Sequence, residues 1–221
     1  MSAARRVVVV DYGRGNLFSV CQAVARVGGT PDLSSDPGAV RDADRVILPG
    51  VGAFGDAMAG LAARGLVDAL KEFGARGRPL LGVCLGMQLL LEESSEFGRH
   101  AGLGLLPGRV ERLPPPLPGT REKIPREKIP NVGWCRLEPA VDGAPWAESL
   151  LAAVKPGGFA YFVHSYAAHP AVARHRLADI TFAGVPTTAA ITHGPITGCQ
   201  FHPEKSGEVG LSIIDAFVNR M

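Results

Sequence analysis

The sequence predicts an α/β fold with a mostly parallel central sheet, helices on both faces and a smaller antiparallel portion in the second half. Three apolar runs support the parallel part, because none alternates with polar residues, as expected for strands buried on both faces. Each run is followed by a stretch with helical spacing, which is the order of a parallel sheet. The three runs are "RVVVVDYG", "ADRVILPG" and "RPLLGVC".

The helices between these strands follow from their periodicity and from their glycines. "NLFSVCQAVARVGG" has apolar residues at helical spacing and two closing glycines. "FGDAMAGLAARGLVDALKEFGARG" is a longer helical stretch that Gly60 and Gly65 can interrupt. A third helix, "LGMQLLLEES", begins directly after the third strand.

The second half of the chain changes character. "GLLPGRVERLPPPLPGT" is rich in proline and glycine, and the tandem copy "REKIPREKIP" after it is interpreted as a local duplication in a surface loop. Short β-branched or alternating segments then predict strands joined by tight turns, and "GLSIIDAFVNRM" predicts a closing helix. The strand segments are "GGFAYFVHSYAAH", "HRLADITFAG", "TTAAITHG" and "ITGCQFHPE". No clean linker separates the halves, so we predict a single domain over residues 1–221.

Composition excludes several classes of function. The chain has 221 residues, 46% of them apolar and 20% charged, and a net charge of +2 without a run of basic residues. Electrostatic binding of a polyanion is therefore not its main activity. The N-terminal apolar run is too short for a signal peptide, and no stretch reaches the roughly 18 apolar residues of a spanning helix, so we expect a cytoplasmic protein. The four scattered cysteines contain no C-x-x-C pair, so neither a zinc site nor a disulfide framework is expected.

Cys84 is the first candidate for chemistry, because Gly82 and Gly86 lie two residues to either side of it. A cysteine buried in a core needs no such glycines, whereas a sharp strand-to-helix turn does, since nearby Cβ atoms would clash there. A sulfur at the start of a helix also feels the positive end of the helix dipole, which favours the thiolate. The spacing therefore predicts a nucleophile elbow with cysteine in place of serine.

A thiol nucleophile needs a base, and the base needs a group that orients it. His202 ends a strand-like run and Glu204 follows two residues later, so in extended backbone both side chains point to the same side. Glu204 then holds the imidazole in the tautomer that leaves one ring nitrogen free for the sulfur. Because 118 residues separate Cys84 from His202, their meeting is a prediction about the fold.

A third element lies in "LPGVGAFGDAM", where Gly50 and Gly52 flank Val51 after a strand. Such a loop can turn backbone N–H groups outward, as in an oxyanion hole for a tetrahedral acyl intermediate. The glycines after the first strand, Gly13 and Gly15, only partly match a dinucleotide fingerprint. Phe18 stands where the third glycine belongs and no well-placed acid follows, so we expect no nicotinamide site.

Six motifs extend this pattern over nearly the whole chain, from about residue 7 to residue 211. They are "DYGRGNLFSV", "LPGVGAFGDAM", "LGVCLGMQLL", "IPNVGWC", "YFVHSY" and "QFHPEKSG". Together they resemble the class I, triad-type glutamine amidotransferases, and among these the glutaminase subunit of imidazole glycerol phosphate synthase, from histidine biosynthesis. "PGVG" and "HPEKSG" are more particular to that subunit than the elbow is.

The resemblance implies a flavodoxin-like fold and a defined reaction. Cys84 attacks the side-chain amide of glutamine, with His202 as the base and Glu204 orienting it; ammonia leaves, and water releases glutamate from the thioester. No metal or organic cofactor is needed for this covalent chemistry.

By the same resemblance, the glutamine is held by Gln88, Glu96 and the backbone around Ser165 and Tyr166. The implied oxyanion donors are backbone N–H groups near Val51 and Gly52, and that of Leu85.

The resemblance also implies a partner, a (β/α)₈-barrel cyclase that uses the ammonia to make imidazole glycerol phosphate and an aminoimidazole carboxamide ribonucleotide. The face with Trp134, Tyr161 and Lys205 would lie towards it. We expect the glutaminase to idle until the cyclase binds its own substrate, through rearrangement of the Gly50–Gly52 loop. Asn131 and Cys135 depart from the histidine and asparagine usual in the family, which bears on these contacts.

Two other interpretations remain open from the sequence. One is a different thiol enzyme on a similar sheet, either a glutaminase feeding another synthase or a hydrolase that uses Cys, Asp and His in that order. The Glu after His-Pro counts against the hydrolase, and "PGVG" and "EKSG" count against other amidotransferases. The second is a redox-sensing thiol on a binding module, which would leave Gln88, Glu96, His202 and Glu204 as coincidences. His164 is expected to be structural, donating to a neighbouring carbonyl.

Overall fold

The computed structural model describes residues 5–115 and 128–221. Its first half alternates strands and helices, as the sequence predicts. The elements are β1 (Arg6–Val10), α1 (Leu17–Arg26), β2 (Thr30–Ser34), α2 (Pro37–Asp42), β3 (Val46–Leu48), α3 (Phe54–Ala62), α4 (Leu66–Ala75), β4 (Leu80–Val83) and α5 (Leu85–Leu89). The three predicted strands are confirmed as β1, β3 and β4, and the predicted first helix as α1.

Two elements of this half escaped the sequence analysis. β2, "TPDLS", contains proline and lies at the edge of its sheet, where its one large apolar side chain, Leu33, is 49% exposed. α2 has only six residues, too few for a helical period, and its start depends on local chemistry. Asp36 accepts hydrogen bonds from the backbone N–H groups of Gly38 and Ala39, and Pro37 occupies the first turn.

Two predicted helices have different bounds in the structure. The long helical stretch is interrupted at Gly65, which has a left-handed φ of 66°, whereas Gly60 lies inside α3. The helix after the third strand was expected over "LGMQLLLEES", but α5 has only five residues. The chain leaves the helix there because Glu93 and Ser94 join a separate small sheet.

The second half is mainly strands. They are β5 (Glu93–Ser94), β6 (His100–Ala101), β7 (Gly108–Arg112), β8 (Asn131–Arg136), β9 (Glu138–Pro139), β10 (Phe159–His164), β11 (Tyr166–Pro170), β12 (Arg176–Phe182), β13 (Val185–His193) and β14 (Ile196–Cys199), followed by α6 (Gly207–Asn219). The segment "GGFAYFVHSYAAH" was taken as one strand and is in fact β10 and β11, in different sheets. Residues 121–127 of the REKIP duplication lie outside the described residues, so its placement in a surface loop stays a prediction.

The main sheet has eight strands in the order β2-β1-β3-β4-β14-β13-β12-β9. Pairing is parallel from β2 to β14 and antiparallel from β14 to β9. The predicted parallel sheet with an antiparallel portion is confirmed. Two smaller sheets, β10-β8 and β11-β7-β5-β6, lie outside it. Since β14 pairs directly with β4, the end of the chain returns to the strand that precedes Cys84.

Helices cover both faces of the main sheet. The valines of β1 are all fully buried, and alternate ones enter two different apolar clusters. One cluster contains side chains of α1 and α6, and the other contains side chains of α3 and α4. Burial on both faces is the reason why the run of valines shows no polar alternation. No helix in the described part of the chain is long and apolar enough to cross a bilayer.

Candidate active site

Cys84 occupies the sharp turn between β4 and α5. Its φ of 55° and ψ of −113° form a strained conformation for a residue with a Cβ. The flanking glycines are required by close contact: a Cβ at Gly82 would lie 2.7 Å from the carbonyl oxygen of Gly86, and a Cβ at Gly86 would overlap that of Leu48. The turn therefore has the shape of a nucleophile elbow. Because α5 is short, its dipole favours the thiolate less than a full helix would.

His202 follows β14, and its Nδ1 lies 2.8 Å from Oε1 of Glu204. The sequence analysis expected extended backbone between His202 and Glu204. This is wrong, because Glu204 lies in a 3₁₀ turn, Pro203–Lys205. The turn nevertheless brings the carboxylate back onto the imidazole. With Nδ1 facing Glu204, Nε2 is the ring nitrogen available to the thiol of Cys84.

The charge state of His202 depends on both neighbours. Burial lowers the pKa of His202, but the interactions of the imidazole with Cys84 and Glu204 outweigh it and raise that pKa to about 10. The imidazole therefore holds a proton at neutral pH, beside the sulfur. A proton in this place can be given to a leaving amine.

A cavity of about 250 Å³ contains Cys84 and His202. It also brings together residues from distant parts of the sequence that the resemblance assigned to the substrate. Its lining comprises Val51, Gly52, Cys84, Leu85, Gln88, Glu96, Pro130, Val163, His164, Ser165, Tyr166 and His202. All predicted oxyanion and substrate residues thus border one cavity together with the nucleophile and base, while Glu204 lies behind His202 and outside the lining.

The loop after β3 packs directly against the elbow. A Cβ at Gly50 would lie 2.9 Å from the backbone nitrogen of Gly86 and 2.5 Å from the hydroxyl oxygen of Tyr12. Within residues 5–115 and 128–221, no backbone carbonyl accepts a hydrogen bond from the N–H groups of Val51, Gly52 or Leu85. Because all three residues line the cavity, these N–H groups are candidate donors for an oxyanion hole.

The predicted substrate residues differ in which of their polar groups are free to bind a ligand. One carboxylate oxygen of Glu96, Oε2, accepts from the backbone N–H of Phe54 at 2.7 Å. The carbonyl of Ser165 accepts from the N–H of Leu113, and that of Tyr166 accepts from the amide of Gln88. The carbonyls of Ser165 and Tyr166 are therefore already engaged, whereas the second carboxylate oxygen of Glu96, Oε1, has no hydrogen-bond partner among the described residues.

Gln200 was not predicted. It is fully buried, and its Nε2 lies 3.8 Å from Sγ of Cys84, while its Oε1 accepts from the amide of Gln88 at 2.9 Å. A signal for it was present, because Gln200 stands two residues before His202, and alternate residues of extended backbone face the same side. The spacing argument, which gave the wrong backbone for Glu204, gives the right result for Gln200, because the side chains of Gln200 and His202 both face Cys84.

His164 has the structural contact that the sequence analysis expected. Its Nδ1 lies 2.9 Å from the carbonyl oxygen of Tyr166, and its Nε2 lies 3.0 Å from Nδ2 of Asn131. Burial lowers the pKa of His164 to about 4, so the ring is neutral, with Nδ1–H donating and Nε2 accepting. Asn131 and its neighbour Cys135 therefore face inward, towards the cavity side of the β8–β10 ladder.

The predicted partner residues lie near one another. Trp134 and Tyr161 are a cross-strand pair of β8 and β10 with ring centroids 5.9 Å apart. The turn that carries Lys205 contacts the same strand, since the N–H of His202 donates to the carbonyl of Tyr161. We define the outer ladder face as Val132, Trp134, Phe159, Tyr161 and Val163; apart from half-buried Tyr161, these side chains are 41–57% exposed.

Comparison with known proteins identifies the family. A sequence model for glutamine amidotransferase class-I matches residues 8–221. The chain belongs to the class-I glutamine amidotransferase family. Imidazole glycerol phosphate synthase subunit HisH 1 of Legionella pneumophila (strain Lens) is 44% identical over 212 residues, which cover 96% of this chain and 98% of that protein. The HisH subunit of Symbiobacterium thermophilum is 46% identical over 95% of this amidotransferase and 91% of its own length.

Solved structures support the fold of this amidotransferase. PurLQS from Thermotoga maritima has a TM-score of 0.71 at 20% identity, covering 98% of this chain and 99% of that chain. A structure described as a glutamine amidotransferase has a TM-score of 0.67 at 18% identity, covering 97% and 99%. The predicted resemblance to the glutaminase subunit of imidazole glycerol phosphate synthase is confirmed by the HisH relatives. In the described residues, no group of three or more His, Cys, Asp or Glu is arranged to hold a metal ion.

Proposed function

We propose that this chain is the glutaminase subunit of imidazole glycerol phosphate synthase, which hydrolyses glutamine to glutamate and ammonia and passes the ammonia to a cyclase in histidine biosynthesis. The observation that supports it most is the contact of His202 with Glu204 beside Cys84, in a cavity bordered by candidate backbone donors. The HisH relatives, similar over almost their whole length, support the choice of synthase over other acceptors of ammonia.

The first half of the reaction forms a thioester. Sγ of Cys84 attacks the carboxamide carbon of glutamine, and the electron pair of the C=O bond moves onto its oxygen. The N–H groups of Val51, Gly52 and Leu85 are the candidate donors to that oxygen. When the C=O bond re-forms, the C–N bond breaks, and the proton on His202 goes to the nitrogen, which leaves as ammonia.

The second half regenerates the thiol. Nε2 of His202, now without its proton, takes one from a water molecule as that water attacks the thioester carbon. The C–S bond breaks, glutamate forms, and the sulfur is free for the next substrate. Glu204 orients the imidazole in both halves, because its carboxylate stays on Nδ1 while Nε2 gives and takes the proton.

Substrate glutamine fits the polar groups of the cavity. Its α-ammonium pairs with the free carboxylate oxygen of Glu96, and Gln88 and the backbone at Ser165 and Tyr166 hold the rest of the molecule. The cavity volume of about 250 Å³ suits a small amino acid. This placement leaves the carboxamide at Cys84, on the nucleophile side of the cavity.

The partner is a (β/α)₈-barrel cyclase that docks on the outer ladder face and on Lys205. Two observations support this position. Most of the outer ladder face is exposed and apolar, which is typical of an interaction surface. Val163 belongs both to that face and to the cavity lining, so a partner seated there would lie at the mouth through which ammonia leaves.

The Gly50–Gly52 loop is the proposed point of regulation. Gly50 packs tightly against the elbow, whereas Val51 is 43% exposed and Gly52 has a φ of 99°, a region that glycine adopts readily. The Val51–Gly52 part of the loop is therefore the part that can change conformation. Rearrangement when the cyclase binds its nucleotide substrate would align the oxyanion donors and start turnover. We also propose that residues 1–221 form one domain, because β1 and α6 share one core cluster. A cytoplasmic location is proposed as well, on the similarity to the subunits of a biosynthetic synthase.

The test is glutamate release from glutamine by the chain alone, with the cyclase, and with the cyclase plus its nucleotide substrate. We expect strong stimulation by the loaded cyclase and loss of activity in Cys84→Ala. Cys21→Ala, which removes a half-buried thiol of α1, should retain the activity. Equal turnover with and without the cyclase would reject this synthase, and no turnover in any mixture would reject the glutaminase.

A further inference from the structure

We propose that Gln200 is a positioning residue of the glutaminase, which holds the side chain of Gln88 in one orientation and donates a hydrogen bond to the sulfur of Cys84. This inference rests on the proposed function and adds a side chain that lies outside the Cys-His-Glu triad. It follows from the hydrogen-bonding capacity of two buried amides.

Gln88 has only one group left for a substrate. Its Nε2 carries two hydrogens. One points to the carbonyl oxygen of Tyr166 at 3.1 Å, and the other to Oε1 of Gln200 at 2.9 Å. With both donors used, the free group of Gln88 is its carbonyl oxygen. In the cavity, that oxygen is an acceptor, and the N–H groups of the substrate carboxamide or ammonium are donors that suit it.

Gln200 is fixed in turn by its own surroundings. The residue is 0% exposed, and its backbone N–H donates to the carbonyl of Ala189 at 2.8 Å, which continues the pairing of β13 with β14. Because its Oε1 accepts from Gln88, its Nε2 is the atom that faces Sγ of Cys84, at 3.8 Å. A flipped amide would set two donors against each other, so the network determines the orientation of both side chains.

This contact gives the sulfur a donor that takes no part in proton transfer. An N–H donor stabilises a thiolate more than a thiol, since the charged acceptor makes the stronger hydrogen bond. His202 also faces the sulfur but must release its proton during turnover. Gln200 keeps both amide hydrogens throughout the reaction, so it stabilises the thiolate whenever the sulfur of Cys84 carries no acyl group. The other titratable groups around the sulfur are Tyr12 and the neutral His164.

Two variants separate the two contacts. Gln200→Glu keeps an acceptor for Gln88 but replaces the donor to the sulfur with a carboxylate oxygen. Gln200→Met has a similar length and removes both contacts. Val141→Glu, at a 73% exposed position outside the cavity lining, introduces the same charge and is the matched control. Thermal unfolding shows which variants are folded.

The first measurement is the pH dependence of Cys84 alkylation by iodoacetamide, with Cys84→Ala to subtract the other thiols. We expect the midpoint to rise by at least about one pH unit in Gln200→Glu, by like-charge repulsion, and by less in Gln200→Met. Val141→Glu should match the wild type. An unchanged midpoint in both folded Gln200 variants overturns the contact with the sulfur. If Gln200→Glu does not fold, the midpoint of Gln200→Met decides.

The second measurement is glutaminase kinetics of the complex with loaded cyclase. Gln200→Glu should lower kcat at least roughly tenfold with the KM for glutamine nearly unchanged, whereas Gln200→Met should also raise KM because Gln88 is no longer held. Wild-type kinetics in both variants overturn the positioning role. A wild-type chain that does not hydrolyse glutamine, but whose alkylation midpoint depends on Gln200, would reject the proposed function and leave the sulfur contact established.

Discussion

Nδ1 of His202 and Oε1 of Glu204 lie 2.8 Å apart because a 3₁₀ turn brings the carboxylate back onto the ring. Ser206 fixes this turn: its hydroxyl donates to the carbonyl of His202 at 2.6 Å and accepts from the N–H of Tyr161 at 3.0 Å. The second carboxylate oxygen, Oε2, is buried without a partner in the described residues. Among the described residues, the imidazole of His202 is therefore the side-chain partner of this buried carboxylate, through Oε1 alone.

Glu204→Gln should therefore impair catalysis more than binding. The substitution keeps the shape but removes the charge that helps to raise the pKa of His202, so proton transfer becomes less effective. We expect kcat to fall at least about tenfold, a fraction of the roughly 10²–10⁴ that general acid–base catalysis contributes, with little change in the KM for glutamine. Steady-state kinetics of the complex measure both. Glu208→Gln, which removes an exposed charge four residues later, should behave as wild type.

The elbow glycines should be intolerant of a methyl group for steric reasons. A Cβ at Gly86 would overlap the carbonyl oxygen of Leu48, so Gly86→Ala must push β3 and α5 apart. We expect a loss of at least about 3 kcal/mol in the free energy of unfolding, measured by urea denaturation, and no glutaminase activity.

Gly60 offers the matched control for that substitution. It lies inside α3, and a Cβ there would meet its nearest atom, the carbonyl oxygen of Tyr12, at 3.4 Å. Gly60→Ala should stabilise the protein by about 0.5–1 kcal/mol, because alanine restricts the unfolded chain. Equal stability of both alanine variants would contradict the steric account of the elbow.

Sequence patterns predicted the parts of this protein that depend on local chemistry. The unbroken valines of β1 and the glycines around Cys84 each have one structural explanation, and both were recognised. β2 escaped because its place at a sheet edge requires little apolar character. Glu204 was paired with His202 through the wrong backbone geometry, since a proline after the histidine permits a strand or a turn. Gln200 escaped although it stands two residues before His202, because that spacing does not show what the side chain contacts, and the contact is with Cys84, 116 residues earlier in the chain.

Tyr12 should tolerate the loss of its hydroxyl. The side chain is 2% exposed, and its hydroxyl has no hydrogen-bond partner in the described residues. Burial, and then the nearby Cys84, raises the pKa of Tyr12, so the group stays protonated. Tyr12→Phe removes a polar atom that is buried without compensation, so we expect the free energy of unfolding to stay equal or to rise by up to about 1 kcal/mol.

Trp146→Phe should have the opposite effect on stability. The indole N–H of Trp146 donates to the carbonyl of Leu177 at 2.6 Å, and its loss leaves that carbonyl with only the longer hydrogen bond from the N–H of Ala140, at 3.4 Å. We expect a cost of about 0.5–1.5 kcal/mol in the free energy of unfolding. Urea denaturation compares the two variants. A loss of more than 1 kcal/mol in Tyr12→Phe would show that its hydroxyl has a partner, such as a bound water.

His164 should destabilise the fold in acid. Its pKa is lowered by burial to about 4, against 6.5 in the unfolded chain, so between these values the unfolded state binds a proton that the folded state does not. The contribution of neutral His164 to the free energy of unfolding is fully present above pH 6.5 and is lost as the pH falls towards 4. At about 1.4 kcal/mol per unit, the loss amounts to about 3 kcal/mol. We expect the free energy of unfolding of His164→Gln to lack this pH dependence between pH 7 and pH 4. Parallel profiles of that free energy against pH for the variant and the wild type would contradict this account.

Trp134 should be the residue whose removal most weakens binding of the cyclase. It is 54% exposed in the free chain and contacts Tyr161 edge to face, so a partner on the outer ladder face would bury a large and rigid aromatic surface. Central tryptophans of interfaces commonly contribute about 2 kcal/mol or more. Trp134→Ala should therefore weaken binding at least about thirtyfold, measured by isothermal titration with the cyclase. Val141→Ala, which truncates a 73% exposed side chain outside that face, is the control. Equal dissociation constants for Trp134→Ala and wild type would place the partner on another surface.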